Sequence, residues 1–185
     1  MNIVSISGSP SQRSRSSWLL TLAHTRLEGS AGRSAFISVR ELPAAALLAA
    51  DTRPEPIRRA VAQVAEADLV IVATPIYKAA YSGVLKLFLD LLPPDALRGK
   101  TVLPLATGGS LAHMLALDYA LKPVLAALGA RDILDGVFAT DSQLAANESG
   151  GYVPDAVLVA RIDRALRPLP ALRTGGRLSV LGVAA

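Results

Sequence analysis

The sequence predicts one α/β domain, a doubly wound parallel sheet of five strands with helices on both faces. Apolar runs of strand length alternate along the chain with longer segments whose apolar residues recur at helical spacing. One run, residues 67–74, is almost continuously apolar and rich in β-branched side chains, as is typical of a central strand covered on both faces. Because strands that alternate with helices are joined by right-handed crossovers, this order favours a single parallel sheet.

Local signals place the elements in order. Strands are expected at residues 3–6, 34–39, 67–74, 100–106 and 131–138. Helices are expected from residue 18, from 54, from 84 to 92, over 111–128 and over 153–169, with a loose helical turn over 44–50. Prolines set two of these boundaries, because Pro54 and Pro56 suit the first turn of a helix and Pro93 with Pro94 ends one.

The chain is the right size for one domain. It has 185 residues, of which 51% are hydrophobic, and this is enough for one well-packed core and too little for two. We expect the domain to occupy residues 1–170. Residues 171–185 carry arginine and glycine and become weakly apolar at their end, which favours a flexible tail or an oligomer contact.

Composition argues against several classes of function. No apolar run reaches the roughly 18 residues of a membrane span, and no basic leader precedes the first strand, so we expect a cytoplasmic protein without membrane contact. The net charge of +4 comes with only 4% aromatic residues, which indicates a small anionic ligand rather than nucleic acid. With no cysteine and two histidines, we expect no metal site and chemistry supplied by a bound cofactor.

Serines crowd the turn between the first strand and the first helix, residues 8–17, here called the first loop. A helix N-terminus presents unpaired N–H groups and a positive dipole end, and hydroxyls add donors without charge, so the loop suits a phosphate. The hydroxyls expected to bind it belong to Ser9, Ser14, Ser16 and Ser17. Neither a Gly-x-Gly-x-x-Gly turn nor a Gly-Lys-Ser/Thr motif is present, so a monophosphate fits best. A serine-rich helix cap without a ligand is the alternative.

Two further loops follow strands of the predicted sheet: residues 75–83, the second loop, and residues 107–110, the third loop. Because ligands of parallel α/β sheets bind beyond the carboxyl ends of the strands, we expect the three loops to converge. In the second loop, Pro75, Ile76 and Tyr77 offer a stiff apolar ledge for a flat ring, and two glycines in the third loop permit close backbone approach. The alternative for the second loop is that its tyrosines only pack against the protein, and the alternative for the third loop is a plain turn without a ligand. A phosphate joined to a flat heterocycle describes flavin mononucleotide, FMN.

Three blocks of the chain closely resemble the NADPH-dependent FMN reductases of alkanesulfonate-utilisation systems: residues 8–17, 73–86 and 103–125. The resemblance extends from residue 1 to about residue 143. It implies a flavodoxin-like fold and a two-component flavin reductase that reduces FMN with NADPH or NADH. The reduced flavin would pass to a partner FMNH2-dependent monooxygenase that cleaves sulfonates for sulfur acquisition.

The resemblance also implies site residues and an assembly. The implied FMN ligands are Ser9, Ser14, Arg15, Ser16 and Ser17 at the phosphate, Pro75, Ile76, Tyr77, Ser82 and Gly83 around the isoalloxazine, and Thr107, Gly108 and Gly109 at its edge. A homotetramer is implied, a dimer of dimers with a π-bulge at the subunit interface, and Tyr119 matches the tyrosine of that bulge. Hydride transfer to a flavin requires no general acid or base. Tyr119 and His113 are the candidates for a part in turnover, the alternatives being an interface aromatic and a solvated histidine.

Two other functions stay open at this point. One is a reductase that keeps FMN bound and passes electrons from NAD(P)H to quinones, azo dyes or metal oxyanions. The other is a non-enzymatic electron carrier like flavodoxin. The positive net charge argues against the carrier, because such carriers present an acidic face to their redox partners.

Overall fold

The computed structural model describes residues 1–30, 32–148 and 150–169. The strands are β1 (Asn2–Ser7), β2 (Arg33–Ser38), β3 (Leu69–Tyr77), β4 (Ala80–Tyr81), β5 (Thr101–Gly108), β6 (Asp132–Ile133), β7 (Val137–Thr140), β8 (Leu144–Ala146) and β9 (Tyr152–Pro154). The helices are α1 (Arg15–Thr25), α2 (Ala44–Leu48), α3 (Glu55–Glu66), α4 (Gly83–Leu89), α5 (Lys122–Ala127) and α6 (Ala156–Leu166). The expected tail, residues 171–185, and the expected domain end at residue 170 lie outside the described residues.

The main sheet confirms the predicted doubly wound α/β fold. Its parallel strands run in the order β2, β1, β3, β5, and β6 and β7 share the fifth position beside β5. Two additions were not predicted. Strand β4 pairs antiparallel with the end of β3, and β8 pairs with β9 in a separate hairpin. Ser7 lies beside Ala73 and Pro75 beside Thr107, so β1, β3 and β5 end at one edge of the sheet.

Both faces of the sheet are covered, which explains the apolar run in β3. On one face, the fully buried Val70 and Val72 belong to a core that includes side chains of α3, α4 and α5. On the other face, the equally buried Leu69 and Ile71 belong to a core with side chains of α1 and α6. Side chains of a strand alternate between faces, so a strand in this position needs apolar residues at every step. Within the described residues, no helix has the length and apolar character to cross a membrane.

The predicted helix over 111–128 is wrong as a continuous element. It consists of a 3₁₀ turn at Leu111–His113, a π-helical turn at Leu117–Leu121 and then α5. Pro123 lies at the start of α5 and has no N–H, so the carbonyl of Tyr119 loses its α-helical partner there. The π-helical turn contains Tyr119, where the resemblance implied a π-bulge.

Two other boundaries differ from the prediction. The fifth strand is interrupted at residues 134–136, between β6 and β7. The last helix begins at Ala156 rather than at 153, because Asp155 caps it by accepting a hydrogen bond of 2.6 Å from the Leu158 N–H. The preceding residues, Tyr152–Pro154, form β9.

Candidate functional site

A cavity of about 290 Å³ opens at the carboxyl edge of the sheet, and all three loops line it. This confirms that they converge. Its lining residues are Ser9, Ser11, Arg13, Ser14, Arg15, Pro75, Ile76, Tyr77, Thr107, Gly108, Gly109, Asp141 and Tyr152. Nine of these coincide with residues singled out from the sequence, whereas Ser16, Ser17, Ser82 and Gly83 lie outside the lining.

The first loop brings the N-terminus of α1 to the cavity. Ser14 caps the helix, since its Oγ accepts a hydrogen bond of 3.2 Å from the Ser17 N–H. The first N–H groups of a helix have no partner within the helix, and the positive end of its dipole lies among them. Ser9, 2% exposed, lies at the same edge, where its Oγ accepts from the Ser11 N–H at 3.2 Å. Groups of this kind suit an anion, and phosphate binding at this loop stays a prediction.

The hydroxyls of Ser16 and Ser17 form hydrogen bonds with other serine hydroxyls of the protein. The Ser16 and Ser14 hydroxyls lie 2.9 Å apart, and the Ser17 hydroxyl lies 2.7 Å from that of Ser7 at the end of β1. Ser16 is fully buried. In the structure these two hydroxyls therefore shape the start of α1, and their direct contact with a phosphate stays a prediction.

Ser82 ties the first loop to the second. Its Oγ donates to the carbonyl of Gly8 and accepts from the Leu85 N–H at 3.1 Å, while its own N–H donates to the Thr74 Oγ1 at 2.9 Å. Gly8 is held so close to α4 that a Cβ there would lie 2.5 Å from the Cβ of Leu85. The first loop thus depends on a close approach that only glycine permits.

The second loop is a tight hairpin rather than an open turn. Tyr77 pairs with Ala80 across Lys78 and Ala79, which have φ angles of 51° and 64°. Two-residue hairpin turns of this kind favour Asn-Gly, because ordinary side chains are strained at positive φ. Pro75 and Ile76 lie in β3 just before the turn, and Tyr77 is half exposed at the cavity rim. The ledge predicted from the sequence is therefore present.

Two groups behind the second loop have shifted pKa values. Burial raises the pKa of the Tyr81 phenol, and the hydrogen bonds that Lys86 donates to Asp90, 2.6 and 2.7 Å long, raise the pKa of the Lys86 ammonium. Both groups stay protonated at neutral pH and neither lines the cavity. No cluster of three or more potential metal ligands occurs among the residues that the structure describes.

The third loop closes the cavity opposite the first. Thr107 is buried, and a Cβ on Gly108 would lie 3.0 Å from the Phe138 ring and 3.7 Å from the His113 Nδ1. The absence of a side chain at Gly108 therefore lets the Phe138 ring pack closely, whereas the space around Gly109 is open. His113 and Tyr119 are exposed outside the lining, so a part in turnover stays a prediction for both.

Comparison with known proteins identifies the family of this chain. The family model described as NADPH-dependent FMN reductase matches residues 1–145. The chain belongs to this family. The FMN reductase (NADPH) of Pseudomonas putida strain KT2440 is 53% identical over 145 residues, 78% of this chain and 74% of the relative, and that of Escherichia coli K12 is 51% identical over 144 residues, 78% and 75% of the two chains.

Two less similar proteins carry NADH in their names. The NADH-dependent FMN reductase SfnE of Pseudomonas putida is 34% identical over 165 residues, 88% of this chain and 87% of the relative. Among solved structures, the apo form of the NADH:FMN oxidoreductase EMOB matches with a TM-score of 0.83 and 40% identity, over 95% of this chain and 91% of that one.

Four residues of the cavity lining are not among the predicted site residues: Ser11 and Arg13, which belong to the first loop, and Asp141 and Tyr152, which lie outside all three loops. Asp141 follows β7, so a correct end for the fifth strand would have placed it at the carboxyl edge. Tyr152 begins β9 and lies beyond the residues that the family model matches, just before the helix predicted over 153–169.

Asp141 and Tyr152 both contact Arg15, the first residue of α1. The Arg15 Nε donates to the Leu144 carbonyl at 3.0 Å, its Nη1 lies 3.6 Å from an Asp141 carboxylate oxygen, and its guanidinium lies 5.1 Å from the centre of the Tyr152 ring. The β8–β9 hairpin is therefore anchored on the first loop through one arginine.

Proposed function

We propose that the protein transfers hydride from NADPH or NADH to FMN and releases the reduced flavin to an FMNH2-dependent monooxygenase, in the desulfonation of sulfonates for sulfur acquisition. The observation that carries the proposal is the single cavity in which the first loop lies beside the ledge of the second. Because the reaction consumes NADPH or NADH, the proposal places the protein in the cytoplasm, where these nucleotides are regenerated.

The residues of the cavity fit FMN. The helix N-terminus, the hydroxyls of Ser9 and Ser14 and two arginines suit a phosphate dianion. The apolar ledge of Pro75 and Ile76 suits one face of a flat ring system, and Thr107 with the two glycines leaves room beside it. The volume of about 290 Å³ lies near the lower end of ligand pockets.

The bound flavin supplies the redox chemistry, and this chain's residues supply position. In the proposal, the first loop would hold the phosphate, and the second and third loops would hold the ring system. Backbone N–H groups and hydroxyls bind the anion without a side chain that must change protonation. No described residue is required as an acid or base, because the nicotinamide delivers a hydride directly.

The proposal includes assembly as a homotetramer. Four large apolar side chains of the segment 111–121, here called the rim segment, are between 46% and 79% exposed: Leu111, Met114, Leu115 and Tyr119. Apolar side chains grouped in this way favour burial against another protein surface. The π-helical turn also contacts β4 of the second loop, which would connect such an interface to the cavity.

The test of the proposed function is the oxidation of NADPH and of NADH by the purified protein, with and without added FMN. We expect a nearly colourless protein whose activity depends on added FMN. A yellow protein that reduces a quinone or an azo dye with its bound flavin would instead indicate the FMN-bound reductase. A yellow protein without nicotinamide oxidation would indicate an electron carrier.

A further inference from the structure

The two arginines of the first loop are used differently. Arg15 is engaged by the Leu144 carbonyl, the Asp141 carboxylate and the Tyr152 ring. Arg13 is exposed, and its guanidinium lies beside the backbone of Gly150, where a Cβ would be 3.3 Å from the Arg13 Nη2. No carboxylate of the described residues pairs with Arg13. Within the described part of the chain, Arg15 has a carboxylate partner and Arg13 has none.

The carboxylate partner of Arg15 is itself part of the cavity. Asp141 is the one acidic residue among the described residues that line it, whereas Arg13, Arg15 and the N-terminus of α1 favour an anion there. Its side chain is 52% exposed and that of Arg15 is 32% exposed, so the pair is partly solvated. Such a pair adds little stability. Its charge still lowers the positive potential that a bound phosphate experiences.

Asp141 is also dispensable for the turn that carries it. The turn is closed by Gln143, whose Oε1 accepts from the Thr140 N–H at 3.2 Å and whose N–H donates to the Thr140 carbonyl at 3.1 Å. The hydroxyls of Thr140 and Ser142 lie 2.9 Å apart. The Asp141 side chain makes no hydrogen bond in this turn, so its charge can be removed without taking the turn apart.

We propose that Asp141 limits the affinity of the cavity for phosphorylated flavin, by compensating Arg15 and by facing the phosphate with a like charge. The inference rests on the proposed function, in which flavin is a substrate that must leave after reduction. Asp141 then acts on the phosphate alone, as a specificity-determining residue that keeps FMN exchangeable.

The test is Asp141→Asn, which keeps the shape of the side chain and removes its charge. Dissociation constants of FMN and of riboflavin, which lacks the phosphate, are measured by fluorescence titration for the parent and the variant. The loss of one partly solvated charge predicts FMN binding about fivefold tighter with riboflavin binding unchanged. The FMN effect should shrink in high salt, because exposed charges are screened.

The matched control is Asp95→Asn. Asp95 also forms an exposed ion pair with an arginine, Arg98 at 2.6 Å, and it lies outside the cavity lining. This variant changes net charge by the same amount and should leave both dissociation constants unchanged.

The outcomes separate the inference from the proposed function. A parent that binds FMN, together with an Asp141→Asn variant of unchanged or weaker FMN binding, overturns the inference alone. Tightening of FMN and riboflavin by the same factor also overturns it, since the effect would then not act on the phosphate. A parent that binds neither flavin overturns the proposed function and this inference with it.

Discussion

The first loop and the rim segment follow strand ends of the same sheet, but they are held in opposite ways. The first loop is fixed from within, since Ser9 and Ser16 are buried and Ser82 ties it to the second loop. The rim segment is a succession of 3₁₀ and π-helical turns with Tyr119 79% exposed. The comparison indicates that contacts within the subunit hold the first loop, whereas the rim segment exposes apolar side chains that the proposed tetramer would cover.

The largest expected effect is on the packing of the first loop. Gly8→Ala places a Cβ 2.5 Å from the Cβ of Leu85, where the Ser82 hydrogen bonds hold the first loop against α4. We expect a loss of about 3 kcal/mol in the free energy of unfolding, measured with denaturant, and loss of FMN binding. Gly83→Ala is the control, because a Cβ there meets nothing within 4 Å and the residue lies in a helix. Equal stability of the two variants would contradict the close approach.

The next largest effect is expected for the Ser82 hydroxyl, which connects the first and second loops. Ser82→Ala removes the cap of α4 and leaves the buried Gly8 carbonyl without its donor, so we expect a loss of about 2 kcal/mol. Ser110→Ala provides the comparison at the rim segment, where an exposed serine caps a single 3₁₀ turn. That variant should change the free energy of unfolding by less than about 0.5 kcal/mol. A Ser82→Ala protein as stable as the parent would show that the Ser82 hydrogen bonds do not hold the first loop in place.

The second loop stores strain that a substitution can release. Ala79 has a φ of 64°, so Ala79→Gly should stabilise the fold by about 0.5–1 kcal/mol in spite of the added freedom of the unfolded chain. Thermal unfolding measures the change. Ala80→Gly, one residue further in β4, has no such strain to relieve and should destabilise. Destabilisation by both substitutions would show that residue 79 is not strained.

The smallest effect on stability belongs to the rim segment. Tyr119→Ala should change the free energy of unfolding of the isolated subunit by less than about 0.5 kcal/mol, since the side chain is exposed. If the protein forms the proposed tetramer, we expect Tyr119→Ala to lower the mass measured by light scattering and to alter the rate of flavin release. Unchanged mass and unchanged kinetics together would remove Tyr119 from both roles.

The parallel sheet and the convergence of the three loops could be predicted from the sequence, for physical reasons. The continuous apolar run of β3 and the alternation of elements require a covered parallel sheet, and the topology then brings the three loops to one edge. The irregular parts gave no periodic signal. The break before Pro123 depends on one missing N–H, and the β8–β9 hairpin is too short for alternation to show. The fifth strand was predicted to end at residue 138, whereas β7 ends at Thr140, and Asp141, the next residue, was therefore missed.

The direction of the serine hydroxyls could not be predicted either. Composition predicts a donor-rich loop, but only packing decides that Ser17 faces Ser7 and that Ser9 reaches the cavity edge. Serine hydroxyls bond readily to neighbouring backbone and hydroxyl groups, so their number alone does not tell how many remain for a ligand.

The central claim is that the first loop grips a phosphate, and one measurement tests it most directly: the dissociation constants of FMN and riboflavin for the parent and for Ser9→Ala. Hydrogen bonds to a charged group are worth about 1.5–3 kcal/mol, so the parent should bind FMN at least about tenfold more tightly than riboflavin. Ser9→Ala should narrow that ratio by weakening FMN alone. Equal affinity of the parent for the two flavins would contradict the account.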